Sequence, residues 1–342
     1  MNSTSACPKV SIILPTYNVA DYIGRCLKSV ADLQYPNFEV IIIVDGATDG
    51  SYELAKVFSQ KDTRFSVYWQ ENMGSGPARN AGISRAQGDL ILFIDPDDWV
   101  EPELLYNLVS AQQEGDYDLV ASKRTIVYCD DNNNIISTKH LNYNDTIIIG
   151  ENNVRQSYIK MLEMGVVGDT TQKLYKTSLI KENGIEFPPL RRSQDYAFNM
   201  RYYSFVKSIR LISYSGYCYR IMAMRPPGKS GQDYYKTVVW FYDEYKKMYR
   251  LWNITFPDEE ICTYLFDYRL NPNLQQFAAH GWDMKTILSN YYIQQITQKA
   301  VPKSFHKKII KILIVLKFYK ILVTFLKIEL FLKRICIRRM KS

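Results

Sequence analysis

Two runs of consecutive apolar residues limit the possible folds of this chain more than any other feature of its sequence. FEVIIIV at 38–44 and DLILFI at 89–94 are apolar apart from one acid each, and such runs are typical of strands buried on both faces. Apolar spacing predicts the surrounding elements, which are strands at 9–14, 64–69 and 117–121 and helices at 22–30, 51–58, 76–86 and 101–110. This β-α order predicts an α/β fold with a largely parallel sheet and helices on both faces.

Polar residues follow three of the predicted strands at the point where each strand ends. They are PTYN at 15–18, DGATDG at 45–50 and DPDD at 95–98. In open α/β sheets, ligands bind beyond the carboxyl ends of the strands. The sequence therefore predicts a ligand site where these three segments meet.

The acidic segment 95–98 is the first candidate for chemistry. Asp95, Asp97 and Asp98 lie within four residues, and three carboxylates so close together repel one another unless a cation joins them. Mg²⁺ and Mn²⁺ take oxygen ligands and bridge to diphosphates, so the segment predicts a metal site. The alternative is an acidic turn in which Asp98 caps the following helix.

Two further residues are candidates for nucleotide binding. Asp45 ends a buried strand before a glycine, where a carboxylate can accept hydrogen bonds from a base or ribose; alternatively, it is a turn residue or a helix cap. Arg79 lies in GSGPARNAG at 74–82, in the first turns of a predicted helix, where a guanidinium can meet a nucleotide or its phosphates. The alternative for Arg79 is a structural ion pair.

Four motifs occur in order at close spacing. They are VSIILPTYN at 10–18, VDGATDGS at 44–51, PARNAGISRAQGD at 77–89 and LFIDPDD at 92–98. Together they resemble family 2 glycosyltransferases of the GT-A fold, particularly bacterial capsule and exopolysaccharide enzymes. The resemblance is strong over residues 8–110 and extends more loosely to 230.

The resemblance and the spacing beyond it predict three regions. A GT-A nucleotide-diphospho-sugar transferase domain would occupy residues 1–230, with its donor half at 8–120 and its acceptor half at 121–230. Aromatic-rich helical spacing predicts a helical extension at 231–302. A basic tail follows at 303–342.

The resemblance also implies roles for the matching residues. Those that would hold the uracil, ribose or sugar of a UDP-sugar are Pro15, Thr16, Tyr17, Asp45, Arg79 and Asp95. Asp97 would be the main ligand of Mn²⁺ or Mg²⁺, while Asp98 would assist it or stay structural. Val44 is a departure that bears on nucleotide preference, because the family usually has a polar residue, often Asp, at this position.

In the resembling family, a Glu-Asp pair opens a helix of the acceptor half, and its Asp is the catalytic base. The matching segment is RRSQDYAF at 191–198, where Asp195 fits the base and Gln194 replaces the Glu. Such a carboxylate takes the proton of the acceptor hydroxyl. The alternative for Asp195 is an acid favoured by the dipole at a helix N-terminus, and Asp169 is the reserve candidate for the base.

Residues 219–230 are predicted to form a mobile loop that closes on the donor diphosphate. Its candidate cations are Arg220, Arg225 and Lys229. The run GKS at 228–230 does not form a Walker phosphate-binding loop, because the required earlier glycine falls on Ala223 and no strand–loop–helix context surrounds it.

The charge of the chain is concentrated in its last 40 residues. Residues 303–342 contain 12 Lys or Arg and one acid, whereas residues 1–302 contain 31 basic and 34 acidic residues. This distribution argues against nucleic-acid binding by the chain as a whole. No window of the tail is free of charge over the roughly 20 residues that a spanning helix needs.

The tail therefore suits an amphipathic helix or helix pair that lies in the headgroup region of an anionic membrane. The alternative is a basic helix packed on the body or on a partner subunit. The six cysteines lack framework spacing and the N-terminus has no signal-peptide pattern, so we expect a cytoplasmic protein with reduced cysteines. A cytoplasmic location together with a membrane-associating tail predicts a peripheral protein on the inner face of the cell membrane.

These observations predict an inverting glycosyltransferase that moves a hexose or N-acetylhexosamine from a UDP-sugar to a saccharide acceptor. The tail favours a lipid-linked acceptor, such as a polyprenol diphosphate saccharide. A nucleotide-sugar dehydrogenase is disfavoured, because PTYN follows the first strand where a GxGxxG motif is needed. A non-catalytic scaffold or partner subunit is the alternative, favoured by Val44 and Gln194. The sequence leaves the oligomeric state open.

Overall fold

A computed structural model describes residues 7–140, 143–190, 192–222 and 234–339, with side chains described up to residue 332. The chain forms two compact units, residues 1–224 and residues 225–342. The boundaries drawn from the sequence, after residues 230 and 302, stay predictions.

The first unit alternates strands and helices before it becomes irregular. Its elements are β1 (Val10–Thr16), α1 (Ala20–Ala31), β2 (Phe38–Asp45), α2 (Ser51–Lys61), β3 (Phe65–Gln70), α3 (Ser75–Arg85), β4 (Leu90–Phe93), β5 (Trp99–Val100), α4 (Leu104–Gln113), β6 (Leu119–Cys129), β7 (Ile135–His140), β8 (Thr146–Ile149), α5 (Glu151–Glu163), β9 (Lys173–Lys176), α6 (Thr177–Glu182), α7 (Gln194–Tyr203) and β10 (Ser208–Met222). The order of elements up to α4 follows the predicted alternation, with the short strand β5 added.

The strands form one mixed sheet in the order β3-β2-β1-β4-β9-β6-β10-β5, with β7 beside β6 and β8 beside β10. β1 to β4 are mutually parallel. β9 lies antiparallel to both β4 and β6 and joins the two halves of the sheet. The prediction of a largely parallel sheet therefore describes the first four strands, whereas the rest of the sheet is mixed. β6 and β7 pair antiparallel and form a hairpin around residues 130–134, where the run DDNNN is typical of a turn.

Both faces of the central strands are covered, which explains the continuous apolar runs. On one face, alternate residues of β1, β2 and β4 pack with α1 and α4 in a single buried cluster. On the other face lies α3, where a Cβ added at Gly82 would come within 2.4 Å of a methyl carbon of Ile13. This contact requires glycine, and it seats α3 directly on β1.

The second unit is helical over its described residues, as the sequence predicts. Its elements are α8 (Tyr234–Leu251), α9 (Asp258–Tyr264), a π-helical segment (Leu265–Leu270), α10 (Asn271–Ala279), α11 (Met284–Leu288), α12 (Tyr291–Lys299), α13 (Phe305–Val315) and α14 (Tyr319–Arg339). The tail thus forms a helix pair, α13 and α14. Of the described helices, none combines the length and apolarity that crossing a membrane requires.

Candidate active site

Arg79, on α3, connects two parts of the predicted site. Its Nη2 lies 2.6 Å from Oδ1 of Asp95, which follows β4, and its Nη1 lies 3.1 Å from Oδ1 of Asp195, in the first turn of α7. Burial would lower the pKa of this guanidinium, but the charges of Asp195 and Asp95 outweigh that effect and raise it. Arg79 therefore forms the kind of ion pair that was predicted from the sequence as its alternative role. Through this residue, Asp195, the candidate base, is joined to Asp95, a candidate for donor binding.

Asp195 is a partly exposed carboxylate with unusual basicity. Burial raises its pKa, Arg79 lowers it, and Asp95 and Asp169 raise it, to a value of about 6. Oγ1 of Thr170 also donates a hydrogen bond of 3.4 Å to its Oδ1. A carboxylate with this pKa is mostly ionised at neutral pH and yet more basic than an ordinary aspartate. It can therefore accept a proton from a nearby hydroxyl.

Gln194 fixes the start of α7 against the start of α3. Its Nε2 donates a hydrogen bond to Oγ of Ser75, and the residue is buried. Gly76 leaves room for the amide, because a Cβ there would lie 2.3 Å from Oε1 of Gln194. The hydrogen bond from Gln194 to Ser75 and the ion pair of Arg79 with Asp195 thus hold α3 and α7 together.

Asp169, the reserve candidate for the base, is engaged by a neighbouring arginine. Its carboxylate pairs with the guanidinium of Arg124 on β6. Its backbone carbonyl accepts hydrogen bonds from the ammonium of Lys173 and, at 3.0 Å, from the side-chain amide of Asn199. Lys173 is fully buried, and burial lowers its pKa to about 7. These contacts fix the loop that also carries Thr170, the hydrogen-bond donor to the base candidate.

Asp98 lies inside the protein and stabilises the acidic loop. It is fully buried, and its two oxygens accept hydrogen bonds from the hydroxyl of Tyr217, at 2.7 Å, and from the backbone N–H of Arg220, at 2.8 Å. Burial and the neighbouring charges of Asp97 and Asp95 raise its pKa. The following helix, α4, begins at Leu104, so Asp98 does not cap it. These contacts favour the structural role of Asp98 over metal binding.

Arg220 lies on a strand, and the prediction that it belongs to a mobile loop is wrong. It is buried near the end of β10. Its Nε donates to the carbonyl of Asp97 at 2.8 Å, and its Nη1 donates to Oδ1 of Asn133 at 2.9 Å. The guanidinium stacks over the rings of Tyr22 and Trp99. Arg220 thus braces the acidic loop, whereas Arg225 and Lys229 lie outside the described residues.

Asp97 is the most exposed carboxylate of this loop. The surrounding protein and the charge of Asp95 raise its pKa to about 6, so a cation beside it would relieve an unfavourable charge. No cluster of three or more His, Cys, Asp or Glu side chains suited to a metal occurs among the described residues. A metal at Asp97 would therefore need further ligands from the substrate, which matches the way Mg²⁺ combines one or two carboxylates with phosphate oxygens.

The remaining residues predicted to hold the base and ribose lie at the ends of β1 and β2. Asp45 is buried, and its carboxylate accepts hydrogen bonds from Nε2 of Gln70 and from the backbone N–H groups of Met73 and Gly74, at 2.7 to 2.9 Å. It therefore shapes the loop that leads into α3. Pro15 and Thr16 are buried at the end of β1, whereas the ring of Tyr17 is exposed. Donor binding by these residues stays a prediction.

Three residues that stabilise the site were not identified from the sequence. Tyr217 holds Asp98 from β10, Arg124 holds Asp169 from β6, and Lys173 holds the carbonyl of Asp169 from β9. Lys173 alone gave a usable signal, because it is a charged residue beside the apolar pair of the short strand KLYK. Tyr217 and Arg124 stand in ordinary strand patterns, and their roles depend on distant residues.

The mixed sheet, with polar residues at the ends of its parallel strands, has the arrangement of the GT-A fold. Comparison with solved structures confirms this fold. The 1–349 fragment of TarS from Staphylococcus aureus in complex with UDP aligns with a TM-score of 0.62 at 22% identity, covering 85% of this chain and 80% of that one. The same fragment with UDP-GlcNAc aligns with a TM-score of 0.61 at 20% identity, covering 85% and 84% of the two chains.

Sequence comparison identifies the family. The model of the family described as glycosyl transferase family 2 matches residues 11–174. The glycosyltransferase GlyG of Streptococcus pneumoniae is 31% identical over 213 residues, which are 62% of this chain and 70% of GlyG. The chain therefore belongs to glycosyltransferase family 2, as predicted. EpsH of Bacillus subtilis is 34% identical over 218 residues, but these cover only 61% of EpsH. GlyA of S. pneumoniae is 30% identical over 221 residues, and these cover only 30% of the length of GlyA.

Proposed function

We propose that the protein is an inverting glycosyltransferase that moves a hexose or N-acetylhexosamine from a UDP-sugar to a saccharide acceptor. The observation that carries the proposal is the contact of Arg79 with both Asp95 and Asp195. This contact brings a carboxylate with a pKa of about 6 close to the strand end that we propose binds the donor. The base and the donor site must be adjacent, because the acceptor hydroxyl that the base deprotonates has to reach the donor sugar directly.

The UDP-sugar donor is supported by relatives that bind or use such compounds. A TarS structure is described in complex with UDP-GlcNAc. TarS of Staphylococcus aureus, which is named as a poly(ribitol-phosphate) β-N-acetylglucosaminyltransferase, is 28% identical over 223 residues, which are 35% of its length. In this chain, the exposed ring of Tyr17 and the residues Thr16 and Asp45 are the proposed contacts to uracil and ribose.

In the proposed reaction, Asp195 takes the proton of the acceptor hydroxyl. The acceptor oxygen then forms a bond to the anomeric carbon of the sugar while the bond to the diphosphate oxygen breaks, and UDP leaves with the bonding electrons. A single displacement inverts the anomeric centre, so an α-linked donor gives a β-linked product. Arg79 keeps Asp195 ionised in the free enzyme, since a neighbouring positive charge favours the carboxylate.

Asp97 is the residue proposed to hold Mn²⁺ or Mg²⁺, with Asp95 beside it and diphosphate oxygens completing the ligand set. The metal would neutralise the charge that develops on the leaving diphosphate. Asp98 and Arg220 fix the backbone of this loop, so that the Asp97 side chain faces solvent. We assign no metal contact to Asp98.

We further propose that the enzyme acts in cell-surface polysaccharide synthesis on a lipid-linked acceptor, such as a polyprenol diphosphate saccharide, at the inner face of the cell membrane. The support is the basic helix pair of the second unit, whose apolar side chains are widely exposed, Phe305 and Phe331 among them. A basic and apolar surface of this kind suits an anionic bilayer.

The alternative remains a non-catalytic GT-A scaffold or partner subunit. The observation that favours it is Gln194, which stands in place of an acid beside the proposed base and makes a neutral hydrogen bond to Ser75. Val44 is fully buried within β2, which means that it supplies packing rather than a polar contact. The scaffold alternative predicts UDP binding without sugar transfer.

UDP release from a panel of UDP-sugars tests the proposal, with Mn²⁺, with Mg²⁺ and with EDTA, and with lipid-linked acceptors supplied. We expect metal-dependent release that is lost in Asp97→Ala and reduced by about two orders of magnitude or more in Asp195→Asn, because general base catalysis contributes 10²–10⁴-fold. Asp32→Asn, which removes an exposed carboxylate after α1, is the matched control. UDP binding without turnover for any donor would favour the scaffold, and absence of UDP binding would contradict both.

A further inference from the structure

The second unit contains an apolar cavity bordered by lysines at the turn between α13 and α14. The cavity has a volume of about 570 Å³. Its lining consists of Lys285 on α11 and the consecutive residues Lys317, Phe318, Tyr319, Lys320 and Ile321. Apolar atoms make up most of the surface of its walls, and the charged residues of its lining are all cationic.

The turn beside this cavity has the geometry that usually selects glycine. The N–H of Phe318 donates to the carbonyl of Leu313 at 2.9 Å, and the N–H of Lys317 donates to the carbonyl of Ile314 at 3.0 Å. This bonding pattern is the Schellman motif, in which the residue after the C-cap is left-handed. Lys317 occupies that position with a φ of 60°, where a Cβ carries a steric penalty that glycine avoids. Stability of the turn therefore does not explain a lysine here.

Apolar side chains at the same turn are exposed to solvent. Phe318 is 49% exposed and Ile321 is 57% exposed. The hydroxyl of Tyr319 is buried without a hydrogen-bond partner among the described residues. Lys247, Lys299 and Lys307 of this unit each form an ion pair with a described acid, whereas Lys317 and Lys320 of the cavity form none with a described residue. The turn thus combines positive charge, a buried hydroxyl without a hydrogen-bond partner and exposed apolar surface.

We propose that this cavity is a binding site for one anionic phospholipid of a bilayer. The three lysines would contact the phosphate, the Tyr319 hydroxyl would donate to a phosphate or ester oxygen, and an acyl chain would enter between Phe318 and Ile321. The charge complementarity and the apolar walls select an anionic lipid over a soluble anion, since a free phosphate would gain nothing from the apolar walls. This site rests on the membrane contact proposed above for the second unit, but it does not depend on glycosyl transfer.

Vesicle co-sedimentation of the full chain tests the site, using phosphatidylcholine vesicles with and without phosphatidylglycerol, at low and high salt. Lys317→Gly is the most informative variant, because it removes one charge while relieving the left-handed strain, so the fold should be as stable or more stable. We expect its affinity for phosphatidylglycerol vesicles to fall about fivefold, the contribution of one lysine near such a surface. Ile321→Ser should weaken binding on the order of tenfold through lost apolar burial.

Lys247→Gln is the matched control, because it removes an exposed lysine of α8 in the same unit and should bind vesicles as the wild type does. UDP release in vesicle-free solution should be unchanged in Lys317→Gly, which separates this site from the proposed function. Equal binding by wild type and both cavity variants, or binding indifferent to phosphatidylglycerol, would overturn the proposal. So would competition by inorganic phosphate, or a self-association that the cavity variants abolish without any effect of lipid.

Discussion

Replacing Arg79 by glutamine should move the acid limb of the pH–rate profile to higher pH. In the wild type, Asp195 has a pKa of about 6, so about nine tenths of it is ionised at pH 7. Nη1 of Arg79 lies 3.1 Å from the carboxylate, and an opposite charge at such a distance lowers a carboxyl pKa by about one to three pH units. Without this charge, the pKa of Asp195 should rise to about 7 to 9.

The expected loss of activity follows from this change. At pH 7, the ionised fraction of Asp195 should fall to between about one half and one hundredth, and kcat/KM should fall with it. Raising the pH should recover that part of the loss, because the base is then deprotonated. A further, pH-independent loss is expected, since Arg79 also holds Asp95 at 2.6 Å.

The assay is kcat/KM for UDP release as a function of pH, at saturating metal so that titration of Asp97 does not limit the rate. Arg79→Lys is the paired variant. It keeps the charge and should leave the acid limb near pH 6, while losing rate at every pH because lysine cannot span both carboxylates. Thermal unfolding of both variants checks the fold. An acid limb in Arg79→Gln that coincides with that of the wild type would refute the reasoning.

Three further predictions concern the supports of the site. Tyr217→Phe removes one of the two hydrogen-bond donors to the buried Asp98 and should lower the free energy of unfolding by about 1–3 kcal/mol, measured by urea denaturation. Gly82→Ala forces a methyl group to 2.4 Å from a β1 side chain and should cost about 1–3 kcal/mol, whereas Gly24→Ala, which meets nothing within 4 Å, should be neutral or stabilising by up to about 1 kcal/mol. Gln194→Glu places a second carboxylate beside the base and should move the acid limb of the pH–rate profile upward; an unchanged limb would contradict the assignment of the base.

The fold and the local site elements could be predicted because their signals are local. Continuous apolar runs identified β2 and β4, and the polar segments after them contain Asp45, Asp95 and Asp97. The parallel arrangement follows from the β-α alternation. The mixed half of the sheet escaped prediction, because β9 is only four residues long and pairs antiparallel with strands on both sides. A segment so short has no periodicity from which its direction could be derived.

The central contact of the site could not be predicted, for a related reason. Arg79 meets Asp195 across more than 100 residues, and nothing in either local pattern specifies the other. The same holds for Asp98, whose sequence context predicts a metal ligand or a helix cap but whose partners, Tyr217 and Arg220, come from β10. Burial decides between such alternatives: an acid enclosed by donors becomes part of the framework, whereas Asp97, at the surface of the same loop, keeps its carboxylate available for chemistry.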